Sequence, residues 1–368
     1  MAKWPEHPFR LFFLLVCLAA PLALLPWLSL IFWPTGFFPL HWHAFAFINL
    51  LGGAAFVGFL FTAWSSWTGP RPLKRHSYSL LTLWLALAFS LPWPALAQPI
   101  TLMFWVYLLL FISGWTLKNK KPKLLSFSAI LLAIFILNLS YYRKNSAVYL
   151  HLLVDVMLIA VAQVNFRVGM VLGNEALKLD ADNELRFVAN GHFKNIAVLS
   201  LWAYGLAVFL GASREMCGYL AAAVACACGA RLQDWHSTKL LRAPYVRANY
   251  LIHWVLTLGY GSLALAYLFK PAWFSPARHL LALGAFLGAI LLIMSVAGLR
   301  HSGRPLRFYP DSRLALALVF FAALSRALGA LLWPSLLTIY LLPTLALLTA
   351  FTLYGLRYRH IFAHSEPR

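Results

Sequence analysis

Residues 147–172 read AVYLHLLVDVMLIAVAQVNFRVGMVL and contain one carboxylate, Asp155. About 20 consecutive apolar residues are enough for a helix to cross the hydrocarbon core of a bilayer, so this stretch predicts a membrane-spanning helix. The whole chain has the same character, because 62% of its residues are hydrophobic, 11% are charged and the mean hydropathy is +0.76. Soluble domains are roughly 25% charged.

Apolar stretches of similar length recur along all 368 residues. They predict an all-α integral membrane protein, with about twelve transmembrane helices in a single polytopic domain that covers residues 1–368. The approximate spans are 11–33, 43–65, 77–97, 99–117, 124–141, 147–172, 194–212, 215–230, 245–269, 279–299, 313–333 and 335–356. Twelve helices use about 240 residues, so no sizeable soluble domain fits between them.

The basic residues are distributed unevenly around these spans. The two tails, the even-numbered loops and the span ends that border those loops hold 23 Lys and Arg residues, whereas the odd-numbered loops hold five. Because cytoplasmic loops are enriched in Lys and Arg, this asymmetry predicts that both termini are cytoplasmic, in a bacterial inner membrane. The net charge of +20 lies in short clusters between apolar runs. We therefore expect a lipid bilayer as partner and no binding of nucleic acid.

Two patterns of organisation compete. The longest loop, about 173–193, would join two halves of six helices, as in a 12-helix transporter. Alternatively, helices 2, 6 and 10 each open with a histidine at the outer end, namely His43, His151 and His279. Helices 2 and 10 also close with similar turns that contain Gly, Arg and Pro-Leu, at 68–73 and 302–306. Features shared by helices four apart predict three units of four helices.

His43, His151 and His279 lie at similar predicted depth and are the candidate metal ligands. Neutral imidazole is a common ligand of haem iron and copper, and histidines from two helices form a natural axial pair in a bundle. We expect His43 and His279 to be the axial haem ligands, and His151 to be a second-metal or gas-pocket residue. The alternative is that each histidine caps a helix or hydrogen-bonds at the membrane interface.

Two charged residues inside the spans complete the predicted site. Asp155 follows His151 by one helical turn on the same face, and an acid at this depth requires a partner. It would accept the second ring N–H of His151 and fix its tautomer, or it would form an interhelical hydrogen bond. Arg326, near the middle of helix 11, suits a haem propionate. The alternative for Arg326 is an ion pair with Asp155.

Several blocks of sequence together resemble the NnrS family of bacterial membrane proteins. They are residues 7–13 (HPFRLFF), 42–44 (WHA), 58–63 (GFLFTA), 67–69 (WTG), 258–260 (LGY), 279–285 (HLLALGA) and 301–306 (HSGRPL). The ordered set extends over almost the whole chain. The resemblance implies a multi-helix inner-membrane protein that contains haem and copper and is associated with nitric oxide and nitrosative stress.

The chain departs from the family pattern at potential metal ligands. Phe45, Ala46 and Phe47 stand where the family has a histidine, a glutamate and a methionine, and Thr257 stands where it commonly has a histidine. We expect a haem, of b-type, and because of these departures we expect copper to be weakly bound or absent. In architecture alone, the chain is also similar to the catalytic subunit of haem-copper oxidases and nitric oxide reductases, which does not establish function.

The leading hypothesis is an NnrS-like haem protein that senses, binds or detoxifies nitric oxide, or limits its damage to cellular iron. A haem iron with an open or displaceable axial position binds such a diatomic ligand. One alternative is a 12-helix secondary transporter. The other is a membrane assembly or scaffold subunit without cofactors.

We predict that reporter fusions made after Tyr358 will place the carboxyl end in the cytoplasm, because of the charge asymmetry. A fusion to a reporter that is active only in the cytoplasm should be active, and a fusion to alkaline phosphatase should be inactive. Fusions made after Asn145, in an odd-numbered loop, are the control and should give the opposite pattern. An outer location of the carboxyl end would refute the predicted topology.

Overall fold

The computed structural model describes residues 7–30, 38–39, 41–68, 74–120, 124–179 and 186–363. Within these ranges the chain is helical and contains no strand. The predicted ends differ by several residues, as for the span 77–97, which extends past Ser90 into the helix that begins at Pro94, but each predicted span overlaps mainly with one long helix. In chain order these are α1 (Pro8–Ser29), α2 (Trp42–Ala46, Phe47–Gly52 and Gly53–Thr68), α3 (Lys74–Ser90), α4 (Pro94–Lys118), α5 (Leu125–Lys144), α6 (Ala147–Leu177), α7 (Gly191–Phe209), α8 (Arg214–Ala230), α9 (Pro244–Leu268), α10 (Phe274–His279, Leu280–Leu287 and Gly288–His301), α11 (Pro310–Leu332) and α12 (Leu337–Leu341 and Leu342–Ala363).

Ten of these helices are long and apolar enough to cross a membrane, as judged over the described residues. The two others are α3, which has 17 residues, and α7, which carries His192, Lys194 and Asn195 near its start. The prediction of an all-α, multi-pass membrane protein is confirmed for the part of the chain that the structure describes. The count of twelve spans and the cytoplasmic termini stay predictions.

One candidate histidine, His279, lies further inside its helix than the predicted span 279–299 indicated, whereas the start of the helix that carries His151 agrees with the predicted span 147–172. Helix α6 begins at Ala147, and α10 begins at Phe274 after the 3-10 turn Pro271–Trp273. Proline is favoured at the start of such a turn because its missing N–H has no helical partner there. His151 and His279 are therefore each about one turn into a helix, whereas His43 is the second residue of α2.

The chain comprises two compact units. The first unit contains residues 1–153, 297–305 and 354–368, and the second contains residues 154–296 and 306–353. The boundary falls inside α6, and the loop at about 173–193 belongs wholly to the second unit. The units thus do not divide at the loop that was predicted to join two halves, of which residues 180–185 lie outside the described residues.

Close packing in the first unit depends on small residues along α2. A Cβ atom added at Gly58 would lie 2.8 Å from the Phe13 ring and 2.9 Å from Cβ of Phe12, both on α1. A Cβ atom added at Gly53 would lie 3.3 Å from the Phe104 ring on α4. Small residues allow membrane helices to approach closely, so these glycines set the spacing of α1, α2 and α4.

The second unit uses glycines on α10 in the same way. A Cβ atom at Gly284 would lie 2.7 Å from Val255 on α9 and 3.2 Å from Ala323 on α11. At Gly288 the nearest side chains, Phe320 and Ile252, would be in ordinary contact at 3.5 and 3.6 Å. The small-residue face at 284 and 288 is therefore a surface where α10 packs between α9 and α11.

We expect Gly58→Ala to lower the free energy of unfolding by about 1–3 kcal/mol, the usual cost of overpacking a tight contact. Gly114→Ala is the matched control on α4, because an added Cβ meets nothing within 4 Å there and alanine is the better helix former. Thermal unfolding of the purified variants in detergent measures both effects. If the two substitutions shifted the melting temperature equally, the packing described for Gly58 would be wrong.

Candidate functional site

Each of the two predicted axial histidines is followed by a π-helical segment. Phe47–Gly52 begins four residues after His43, and Leu280–Leu287 begins directly after His279. π-helical segments are rare and occur frequently at functional sites. α2 and α10 share this feature with α12, which begins with the π-helical segment Leu337–Leu341, so it agrees with equivalence of α2 and α10 without being confined to them.

His43 is held in the first unit by residues of α1. Pro26 has no N–H to donate to the Leu22 carbonyl, and the indole Nε1 of Trp42 donates to that carbonyl instead, at 3.1 Å. The next side chain, His43, meets the edge of the Trp27 ring with the ring centroids 5.1 Å apart. The proline in α1 therefore fixes the residue that precedes the candidate ligand.

Two tryptophans brace the π segment that follows His43. The indole Nε1 of Trp84 donates to the Leu50 carbonyl at 2.9 Å, and that of Trp105 donates to Oδ1 of Asn49 at 2.8 Å. Asn49 is fully buried. Helices α3 and α4 thus stabilise a backbone conformation that an apolar helix would not adopt by itself.

The positions at which the chain departs from the family pattern make structural contacts. The Phe45 ring packs against Tyr141 with centroids 5.9 Å apart. The Thr257 hydroxyl donates to the backbone carbonyl of His253 at 2.9 Å. His41, just before α2, lies with its Nδ1 3.4 Å from the Tyr141 hydroxyl, and burial lowers the pKa of its imidazole. Burial thus favours the neutral form of the His41 imidazole, which lies, like Phe45, against Tyr141.

In the second unit, a buried ion pair joins α6 to α10. Arg278 Nη1 donates to Oδ2 of Asp155 at 2.7 Å and to Oδ1 at 2.9 Å. The Tyr260 hydroxyl on α9 donates to Oδ1 at 2.8 Å. Asp155 is fully buried and Arg278 is 5% exposed. Because both oxygens of the carboxylate accept hydrogen bonds, the pair meets the requirement for placing charges inside a membrane protein.

Arg278 also connects this pair to aromatic residues. Its Nη2 donates to the Tyr204 hydroxyl on α7 at 2.6 Å, and its guanidinium lies 5.3 Å from the centre of the Phe274 ring. The hydroxyls of Tyr204 and Tyr267 are 3.4 Å apart. Residues from α6, α7, α9 and α10 therefore meet at one charged network.

This network agrees with one of the two sequence-based alternatives for Asp155. Asp155 forms interhelical hydrogen bonds, as that alternative expects, but its partners are Arg278 and Tyr260 rather than His151 or Arg326. Arg278 was missed because it was counted among the basic residues of an outer loop. Two signals pointed to it: Asp155 needed a cation, and Arg278 directly precedes a candidate ligand.

His279 has a defined tautomer. Its Nδ1 lies 2.8 Å from the Ser275 backbone carbonyl, and a carbonyl only accepts, so Nδ1 carries the hydrogen. The lone pair is then on Nε2, the arrangement that metal-binding histidines usually show. Arg326 approaches the same serine, with Nη2 3.4 Å from its hydroxyl, and lies 5.8 Å from the centre of the Tyr340 ring. His279 and Arg326 thus share one neighbourhood.

The sequence model of the family described as NnrS protein matches residues 3–365. This chain belongs to the NnrS family. None of the curated proteins compared with it matches. The NnrS match includes all five predicted site residues, which are His43, His151, Asp155, His279 and Arg326.

The predicted metal layer of this NnrS protein stays a prediction. Within the described ranges, no group of three or more His, Cys, Asp or Glu side chains is arranged to hold a metal ion. His43 and His151 belong to the first unit, while His279 belongs to the second. His151 lies half-buried on α6, one turn before Asp155.

In this NnrS chain we expect Asp155→Asn to lower the free energy of unfolding by about 3–5 kcal/mol, because it leaves Arg278 buried without its counter-charge. Adding Arg278→Met should recover much of the loss, since the uncompensated charge is then removed. Glu215→Gln is the control, because Glu215 is an exposed acid at the start of α8 and should have little effect. Thermal unfolding in detergent tests the pair, and a double variant no more stable than Asp155→Asn would contradict this account.

Proposed function

We propose that this protein is an inner-membrane haem protein of the nitric oxide response, with twelve spans and cytoplasmic termini. Membership of the NnrS family over residues 3–365 supports the proposal. The observation that carries it is the geometry of His279. Its Nδ1–H donates to the Ser275 carbonyl at 2.8 Å, so the lone pair that would bind an iron is on Nε2.

The charges near His279 also fit a haem. Among the described residues, Arg326 contacts Ser275 and Tyr340 and forms no ion pair with a carboxylate. Arg278, by contrast, is neutralised by Asp155. Arg326 is therefore the cation that suits a haem propionate, and Arg278 serves to position the helix that carries His279.

His43 is our candidate for the second axial ligand. It is half-buried, lies against Trp27 and follows the anchored residue Trp42. A bound haem would supply an iron at which nitric oxide could bind. His43 and His279 would hold that haem, and one of the two imidazoles would have to release the iron for nitric oxide to bind.

We assign His151 to the gas pocket or to a second metal, and we expect this second metal to be weakly held. The family histidine after His43 is replaced by Phe45, which is engaged with Tyr141. The two compact units divide inside α6 and not at the loop 173–193, so their boundary does not favour a transporter of two six-helix halves. A scaffold without cofactors would give a colourless protein in the experiment that follows.

The visible spectrum of protein purified without a polyhistidine tag tests the haem. We expect a low-spin haem spectrum, which His43→Ala and His279→Ala should each abolish or convert to high spin. His151→Ala should leave it low-spin. His192→Ala is the control, because His192 is exposed at the start of α7 and should behave as wild type.

Two outcomes would contradict these assignments. A colourless protein, after expression with sufficient haem supply, would refute the haem itself. An unchanged low-spin spectrum in both His43→Ala and His279→Ala would refute the axial pair.

We expect elemental analysis of the same preparation to find clearly less than one copper per chain, because Phe45 and Thr257 stand in place of histidines. Phe45→His should raise the copper content, since it restores an imidazole two residues after His43. Stoichiometric copper in the wild type would show that other residues, such as His41 or His151, supply the site.

A further inference from the structure

A second group of buried polar atoms lies in the second unit, at the ends of α8 and α9 that are predicted to be cytoplasmic. Five of its residues have side-chain nitrogen or oxygen atoms that are buried without a hydrogen-bond partner. They are Nε of Arg231, Nε1 of Trp235, Nδ2 of Asn249, Nε2 of His253 and both amide atoms of Asn165. Each of these residues is at most 2% exposed. The group lies about two helical turns along α9 from Tyr260, which contacts Asp155.

The start of α9 and the 3-10 turn that follows α8 bring four of these residues together. The Trp235 and His253 rings have centroids 6.2 Å apart. The backbone carbonyl of Asn249 accepts the Nδ1–H of His253 at 2.8 Å. Arg231 starts the 3-10 turn Arg231–Asp234 that leads to Trp235, and it is close enough to His253 to act on it electrostatically.

Helix α6 packs against the same residues and adds Asn165 to the group. A Cβ atom added at Gly169 would lie 2.7 Å from the Trp235 ring, so this glycine allows the indole to lie against α6. Asn165 is one turn earlier on the same face of α6. The amide of Asn165 therefore belongs to the same buried neighbourhood.

No carboxylate among the described residues forms an ion pair with Arg231. Asp234, three residues further on, attracts its charge from a distance, and an oxygen of that carboxylate accepts the Asn190 backbone N–H at 3.1 Å. Lys194, whose charge interacts with those of Arg167 and Arg231, adds to the positive potential. Burying a cation without an anion is costly. Water alone would supply hydrogen bonds but would add no negative charge to the partial compensation that Asp234 provides.

The unpartnered atoms define what the missing ligand must offer. Arg231, Trp235 and Asn249 present N–H donors, so the ligand needs several acceptor oxygens. His253 presents an acceptor, because its Nδ1 hydrogen is directed to a carbonyl and the lone pair is on Nε2. The ligand therefore also needs one O–H group.

We propose that this group binds a small oxyanion that carries a hydroxyl, the chemistry of hydrogen phosphate, bicarbonate or a phosphate monoester headgroup. Its anionic oxygens accept hydrogen bonds from Arg231, Trp235 and Asn249, and its hydroxyl donates to Nε2 of His253. Asn165 is left to orient the bound anion from α6. The site is independent of the proposed haem, because it uses none of His43, His151, His279 or Arg326.

The test uses the full chain in phosphatidylcholine nanodiscs, with ionic strength held constant by chloride. We expect the melting temperature to rise and saturate with added phosphate or bicarbonate, because both ligands stabilise the folded state that binds them. Nitrate, which has no hydroxyl, should give a much smaller rise. Equal stabilisation by nitrate would overturn the role of the hydroxyl and of His253.

Two variants locate the effect. Arg231→Met should lose the response to both anions and should be at least as stable as wild type without them, because no unpaired charge is buried. Arg247→Met is the matched control, since Arg247 is exposed on α9, and it should respond as wild type. A second arm adds phosphatidic acid to the nanodiscs without free anion. A response to this lipid alone identifies a headgroup as the source, and a response to free phosphate identifies a soluble anion.

An equal response of wild type and Arg231→Met to phosphate, bicarbonate and phosphatidic acid would overturn the proposal, and so would no response of the wild type. If Arg231→Met does not fold, Trp235→Phe replaces it, because the ring is kept and one donor is lost. We expect Trp235→Phe to bind radiolabelled phosphate roughly tenfold more weakly, the usual effect of losing one hydrogen bond to a charged group. Unchanged affinity would also overturn the proposal.

Discussion

The ion pair between Asp155 and Arg278 is the interaction on which the second unit depends. Two charges in an apolar bundle are tolerated only when each compensates the other and the remaining lone pairs and protons are hydrogen-bonded. Here the Tyr260 hydroxyl donates a hydrogen bond to the carboxylate, and the Tyr204 hydroxyl accepts one from the guanidinium. Four helices must therefore hold their relative positions for either charge to remain buried.

The ion pair also determines where His279 lies, since Arg278 is the residue before it. The first unit has the same order of residues, because Trp42 donates a hydrogen bond to the Leu22 carbonyl and His43 follows it. In both units an anchored side chain precedes the candidate ligand, and a π-helical segment comes after it. The anchors differ in chemistry, one being an ion pair and the other an indole hydrogen bond. Each nonetheless fixes the backbone from which the imidazole projects.

The sequence predicted the helices well and their internal contacts poorly. A long apolar stretch in a bilayer has few conformations other than a helix, because its backbone groups must be satisfied within the segment. The sequence also drew attention to Asp155, since a buried acid is rare, but it did not identify Arg278. A basic residue near a helix end can be an orientation signal or an internal partner, and only the packing of α10 against α6 distinguishes these roles. Arg231 and His253 were missed for the same reason.

The π-helical segments left no signal because the residues concerned are uniformly apolar, as in the stretch 280–287 (LLALGAFL). These segments change the angular positions of residues around the helix axis. Successive residues of an α-helix are about 100° apart around its axis, so the additional residue of a π turn rotates everything before it relative to everything after it. On α10 the histidine lies before this turn, and Gly288, on the packing face, lies after it. The direction of the imidazole relative to the helix-packing face is therefore set by the number of residues between His279 and Gly288 more than by the identity of those residues. Removing one residue from this segment would turn His279 towards a different neighbour relative to Gly288, which would remain on the face that packs between α9 and α11.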